Sequence, residues 1–175
     1  MMNKDNGVVV TDNFLPEYQF KSLKEVLLST HFPWYFNPRI TDDNDGKNLK
    51  YQFFHILYDL KNGHNGRTNR LRDIESIMNL IGHKLNATKL HRIKANLRPK
   101  SFFNRVGAYH VDGYKCSHTA IFYINTNNGY TQFKNGPKVK SVENRIVCFP
   151  SNLFHRGYTC SDELRRVVIN FNYDK

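Results

Sequence analysis

From Lys89 to its end the chain is written almost entirely in a two-residue period, and this limits the fold more than any other feature. Residues 89–98 alternate Leu90, Arg92, Lys94 and Asn96 with His91, Ile93, Ala95 and Leu97. Successive side chains of a strand point to opposite faces, so this is a strand with one polar and one mainly apolar side. Residues 119–125 form a strongly apolar strand, and residues 130–133 return from the Thr126-Asn127-Asn128-Gly129 turn. Residues 139–143 and 144–149 follow the Asn135-Gly136-Pro137 turn as two further strands, and residues 157–161 are extended. A short strand at 105–110 follows the basic turn Arg98-Pro99-Lys100-Ser101. The closing strand, 166–173, places Arg166, Val168, Asn170 and Asn172 on one face and Val167, Ile169, Phe171 and Tyr173 on the other.

The first half reads differently. Residues 7–11 are a β-branched strand. Phe20, Leu23, Val26 and Leu27 fall at helical spacing within 16–30, as do Leu71, Ile74, Ile77, Met78, Leu80, Ile81 and Leu85 within 71–85. Both segments are expected to be amphipathic helices. The Pro-bounded aromatic stretch 31–38, which holds Trp34, is either a buried connector or a wall of a substrate cleft. Residues 51–58 are strand-like. The Asp-rich turn at 42–48 is not a calcium loop, because Phe54 stands where the twelfth-position glutamate is required. The loop at 61–69 is either a lid or a plain linker. Helices followed by about eight short strands make a mainly β protein: a two-sheet jelly-roll, cupin-like, with the helices packed on one sheet. A single domain is expected over 1–175, with 1–88 as strand and helical support and 89–175 as the jelly-roll core.

Composition removes other classes. Thirteen Phe and ten Tyr among 175 residues are too many large apolar groups for a disordered chain. No apolar run reaches the length of a membrane span, and the first residues show no basic-then-apolar leader. A soluble protein of the cytoplasm is expected. Three cysteines, Cys116, Cys148 and Cys160, with no C-x-x-C pair, are not a disulfide framework, and they fit a reducing compartment. The net charge of +11 favours nucleic acid, an acidic protein or an anionic small molecule as partner, unless it only keeps the surface solvated.

The chemistry gathers at His110-Val111-Asp112, His155 and Arg165-Arg166. His110 and Asp112, two apart at a strand end, can face one metal. His155, just past the strand at 144–149, can supply a third ligand from a barrel mouth. Two imidazoles and one carboxylate are the protein ligands of a non-haem iron(II) oxygenase, and they leave coordination positions open. Arg166 begins the last strand on its polar face, where a guanidinium fork can bind a carboxylate of a dicarboxylate. A one-residue slip would put Arg165 there instead. Cys116 and His118 raise a zinc reading, but the spacing is not a common zinc pattern and leaves His155 and Arg166 unused. A non-enzymatic jelly-roll, a sugar-binding or virion module, would not need the combination.

Taken together, residues 109–113, 119–125, 127–133, 144–150, His155 and 166–173 resemble the double-stranded β-helix core of the iron(II)- and 2-oxoglutarate-dependent dioxygenases, in the prolyl-hydroxylase-like branch that includes small bacteriophage members. The resemblance implies that His110, Asp112 and His155 hold Fe(II), and that Arg166 pairs with the distal carboxylate of 2-oxoglutarate. It also implies that Tyr123 bonds the same carboxylate, with Asn96 as a further candidate. Val168 stands where many relatives carry a small hydroxyl, which leaves that contact to be supplied elsewhere. It implies hydroxylation of a peptidyl proline or another side chain with release of succinate and carbon dioxide. O2 is consumed, ascorbate is a potential auxiliary, and the setting is a host cytoplasm if the chain is viral. A nucleic-acid-modifying oxygenase of the same class is the alternative, supported by Lys94, Arg98, Lys100 and Arg105.

Overall fold

The computed structural model describes residues 7–38, 51–61, 64–65, 72–102 and 106–175. In chain order the elements are β1 (Val9–Thr11), α1 (Glu17–Leu28), β2 (Tyr35–Asn37), β3 (Gln52–Asp59), β4 (His64–Asn65), α2 (Arg72–Lys84), β5 (Lys89–Pro99), β6 (His118–Tyr123), β7 (Tyr130–Phe133), β8 (Lys138–Lys140), β9 (Arg145–Pro150), β10 (His155–Gly157) and β11 (Arg165–Asp174). They make a mostly β protein of two antiparallel sheets. The larger runs β1-β9-β6-β11-β5-β3-β2, with β4 added to β3, and the smaller runs β10-β7-β8.

β11 is the centre of the larger sheet. It pairs with β5 from Arg165↔Pro99 to Asp174↔Lys89 and with β6 from Val168↔Tyr123 to Tyr173↔His118. Its two faces do different work, as the alternation predicts. Val167, Ile169, Phe171 and Tyr173 share one buried cluster with Leu23 and Leu27 of α1 and Ile74 and Ile81 of α2. Each such side chain taken fully from water stabilises the fold by about 1.5–3 kcal/mol. Val168, on the other face, joins Ile121, Tyr123, Val147 and Phe149 against Phe133 and Val139 of the smaller sheet. This second apolar layer closes one part of the space between the sheets and leaves the rest as a cavity.

The N-terminal segment enters the same sheet. β1 pairs with β9 and β3 pairs with β5. Asn144 fastens the entry to α1: its amide exchanges bonds with Leu15 N (2.9 Å) and Leu15 O (2.8 Å), while its backbone turns at φ +56°. The stretch 31–38 is buried only in part, and the residue it sends to the cavity is not one of its aromatics. Phe32 is buried against His55 (ring centroids 4.9 Å), while Tyr35 and Phe36 are exposed and Asn37 reaches the cavity.

One local expectation needs correcting. The chain at 106–110 is not a strand: Val106↔Tyr158 and His110↔His155 are isolated bridges, and residues 103–105 lie outside the described residues. His155 follows β9, as expected, and itself opens β10, paired with Phe133. The turn at 42–48 and most of the loop at 61–69 also lie outside the described residues. Among the described residues no helix is long and apolar enough to cross a membrane.

Candidate active site

A cavity of about 580 Å³ lies between the inner faces of β5 and β11 and the smaller sheet, within the range of small-molecule sites. Its two ends carry different chemistry.

At one end, His110 and His155 exchange backbone hydrogen bonds: His110 N to His155 O (3.0 Å) and His155 N to His110 O (2.9 Å). This pair, rather than a regular strand, brings the imidazoles together, with ring centroids 4.7 Å apart. Each Nδ1 lies against a carbonyl two residues back, Ala108 O at 3.2 Å and Leu153 O at 3.1 Å. With Nδ1–H donating there, each Nε2 keeps its lone pair for a cation. Asp112 is aimed from the large sheet. Asn172 Nδ2 donates to its Oδ2 (2.8 Å), and Arg92 Nη2 approaches the same oxygen at 3.4 Å. Ligand atoms of His110, Asp112 and His155 all lie within 4.8 Å of one another, and among the described residues this is the one such group that could hold a metal.

The electrostatics suit a dication. Burial works against the Asp112 carboxylate, but Arg92, His155, the Asn172 bond and His110 outweigh it, and its pKa is lowered. Burial, partly countered by Asp112, lowers the His155 pKa. At neutral pH the group is therefore one carboxylate and a neutral His155, the protonation states in which these side chains bind metal.

At the other end, Arg166 is 4 % exposed. Its Nε donates to Ser141 Oγ (2.8 Å) and its Nη2 to Thr131 Oγ1 (3.1 Å). Arg98 is 6 % exposed and donates from Nη1 to Gly157 O (2.8 Å), while its Nε is buried with no partner. The two guanidiniums converge: a Cβ added to Gly157 would lie 3.6 Å from Arg166 Nη1 and 3.7 Å from Arg98 Nη1. Burial, followed by Arg166, pulls Arg98 down to about 10. Among the described residues no acidic side chain forms an ion pair with either arginine. Two buried cations and an orphaned N–H make a site for an anion.

The remaining candidates fall into place around these ends. Arg165 points the opposite way, donating from Nη2 to Leu28 O at the end of α1. Tyr123 is fully buried behind the cavity wall, with its ring under the Arg166 guanidinium (5.5 Å) and its hydroxyl donating to Thr131 Oγ1 (2.9 Å). Asn96 lines the cavity, and its amide reaches back to Lys94 O at 3.4 Å. His118 bonds Ser117 and Cys116 bonds His118 O, and neither belongs to the metal group, so the zinc reading has no support here. Arg98, Arg92, Asn172, Thr131 and Ser141 were not singled out for these roles from sequence. Arg98 was legible: it continues the inward alternation of Arg92, Lys94 and Asn96, and β5 runs on to Pro99. The hydroxyls carry no such signature.

The fold is the one adopted by 2-oxoglutarate- and Fe(II)-dependent oxygenases. A 2OG-Fe(II) oxygenase-family oxidoreductase from Burkholderia pseudomallei is similar with a TM-score of 0.65 at 12 % identity, over 95 % of this chain and 84 % of that one. A prolyl hydroxylase from Trichoplax adhaerens, in complex with a hypoxia inducible factor peptide fragment, gives 0.63 at 15 %, over 97 % and 84 %. The epimerase SnoN, in complex with Fe3+, alpha ketoglutarate and nogalamycin RO, gives 0.62 at 12 %, over 97 % and 79 %. No family model and no curated protein matches the sequence. The likeness is one of backbone path.

Proposed function

We propose that this protein is an Fe(II)- and 2-oxoglutarate-dependent dioxygenase that hydroxylates its substrate. The observation that carries this reading is the pairing, in one cavity, of a His-Asp-His group with two buried guanidiniums that form no ion pair with an acid among the described residues. The donor set fits ferrous iron, being two imidazoles and one carboxylate with room for further ligands. The guanidinium end fits the distal carboxylate of a keto-diacid. We read the two sheets as a double-stranded β-helix with both helices on the outer face of the larger sheet, and the chain as one catalytic domain.

In this reading His110, Asp112 and His155 hold the metal. Iron held there would supply, with O2 and 2-oxoglutarate, the oxidation of a substrate C–H to C–OH, with succinate and carbon dioxide released. The residues of the chain do the positioning. The carbonyls of Ala108 and Leu153 fix the ring tautomers. Asn172 and Arg92 keep Asp112 charged and aimed. Arg166, braced by Thr131 and Ser141, receives the distal carboxylate, and Tyr123 supports it through Thr131. Thr131 and Ser141 supply the hydroxyls that Val168 does not. Ile121 and Val168 add an apolar patch to a cavity otherwise lined mainly by polar side chains.

The substrate class is inferred from the structural neighbours and from the charge. The Trichoplax adhaerens structure holds a peptide and SnoN holds nogalamycin RO, so the fold accommodates both kinds. A peptidyl proline or another peptide side chain is our reading, with nucleic acid the alternative that the +11 charge favours. Three free cysteines fit a reducing cytoplasm, a phage-infected host's included. The test is succinate formation from 2-oxoglutarate with Fe(II) and ascorbate, with peptide or oligonucleotide pools added. Turnover that rises with one pool supports the reading and assigns the class. No turnover, with no metal bound by the purified protein, favours a non-enzymatic jelly-roll.

A further inference from the structure

Arg92, Lys94, Asn96 and Arg98 occupy every second position of β5, and all four line the cavity. Their partners divide them. Arg92 donates from Nε to Asn172 Oδ1 (3.0 Å) and lies against Asp112. Arg98 faces Arg166 across Gly157. Lys94 is left: among the described residues no acidic side chain forms an ion pair with it, and its ammonium lies 4.9 Å from the centroid of the Phe54 ring. That contact leans Lys94 away from β11 and toward β3, where Gln52 and, beyond it on β2, Asn37 extend the cavity. Opposite Lys94 in register stands Asn170, which also lines the cavity and whose Oδ1 is buried with no hydrogen-bond partner.

The charges do not balance with the keto acid alone. Among the described residues the cavity wall carries four cationic side chains, Arg92, Lys94, Arg98 and Arg166, against the single carboxylate of Asp112. A ferrous ion adds two positive charges and 2-oxoglutarate removes two, so the excess stays at three. A half-buried ammonium in that field is disfavoured without an anion. Its pKa already falls to about 8, through burial first and Arg92 next.

We infer, resting on the oxygenase reading, that Lys94 and Asn170 form the recognition pair for the substrate: Lys94 receives an anionic oxygen group, and Asn170 Oδ1 accepts from an N–H or O–H beside it. The substrate then carries a carboxylate or phosphate close to the carbon that is hydroxylated. A peptide would present it as a terminal or side-chain carboxylate, a nucleotide as phosphate. Phe54 holds the ammonium in place by a cation–π contact, so the pair is organised before the substrate arrives.

Matched probes test this by calorimetry on the anaerobic protein loaded with Fe(II) and 2-oxoglutarate. N-acetyl-L-proline is compared with its neutral amide, and thymidine 5′-monophosphate with thymidine. The charged member of one pair is expected to bind at least about tenfold tighter, and the pair that shows it assigns carboxylate or phosphate. Lys94→Met removes that preference and Lys94→Arg retains it. Lys89→Met, the same charge change at an exposed position of β5 outside the cavity, leaves it unaltered. The inference is overturned if neither pair shows a preference, or if Lys94→Met keeps it. It is overturned equally if Lys94→Met weakens 2-oxoglutarate binding instead, which would give the amine to the keto acid. A wild-type protein that takes up neither Fe(II) nor 2-oxoglutarate overturns the oxygenase reading, and this inference with it.

Discussion

Arg165 and Arg166 are adjacent in the chain and opposite in surroundings. The pleat of β11 sends Arg166 into the cavity and Arg165 to the end of α1. Arg166→Ala is expected to weaken 2-oxoglutarate binding by about a hundredfold, the loss of a charge-assisted fork, with metal affinity kept. Arg165→Ala is expected to leave that affinity within about twofold and to cost about 1 kcal/mol of stability instead. Titration of 2-oxoglutarate into both variants separates the two, and the reversed result would place the strand one residue out of register. Gly129 makes a related prediction. A Cβ there would lie 2.8 Å from Arg166 Cδ, 2.8 Å from Asn127 Oδ1 and 2.9 Å from Tyr158 O. Gly129→Ala must therefore move Arg166 or its surroundings, and 2-oxoglutarate affinity is expected to fall at least about tenfold while the metal site is untouched.

Among the elements, the turn before β9 is a specific point of weakness. Asn144 holds a positive φ, bonds Leu15 at both N and O, and donates its own N–H to Tyr123 O. Asn144→Ala leaves both Leu15 groups unpaired in a buried position and strains the backbone. The expected cost is about 3 kcal/mol in urea unfolding, with a shift of midpoint and not of slope. The elements are also where the reach of sequence is clearest. The periods of α1, α2, β5, β6 and β11 were legible because each buries one face, and both faces of β11 follow from its alternation alone. Pairing across long separations was not: β1 lies on β9 because Val9 meets Cys148 across the sheet, and nothing local in either segment names the other. The chain around His110 was misread as strand because its alternation is real, but only two single bridges hold it. What aims Asp112 is therefore a contact from β11 sixty positions away, through Asn172.

At the scale of the whole molecule, the metal group makes the metal-free protein acid-sensitive. Burial sets the folded pKa of His155 below its unfolded value, so the unfolded chain binds the extra proton first. The stability tied to this residue is fully present above about pH 6.5 and is lost as pH falls from there toward the folded value. Asp112, also lowered, adds a second loss at more acidic pH, below the ordinary carboxylate range. Thermal unfolding of the metal-free protein is expected to show a lower midpoint at pH 5.5 than at pH 7.5, with a smaller difference in His155→Gln. Bound metal is expected to widen the same difference in the wild type, because it binds only the deprotonated ligands and is held less tightly as they protonate.

The account as a whole rests on three side chains from distant parts of the sequence sharing one ion. Anaerobic calorimetric titration of ferrous iron into the wild-type chain and into His110→Ala, Asp112→Ala and His155→Ala tests this most directly. One ion per wild-type chain, with binding lost or weakened by at least about a hundredfold in each variant, is the predicted result. Wild-type protein that binds no iron, or variants that bind it as tightly as the wild type, would contradict it.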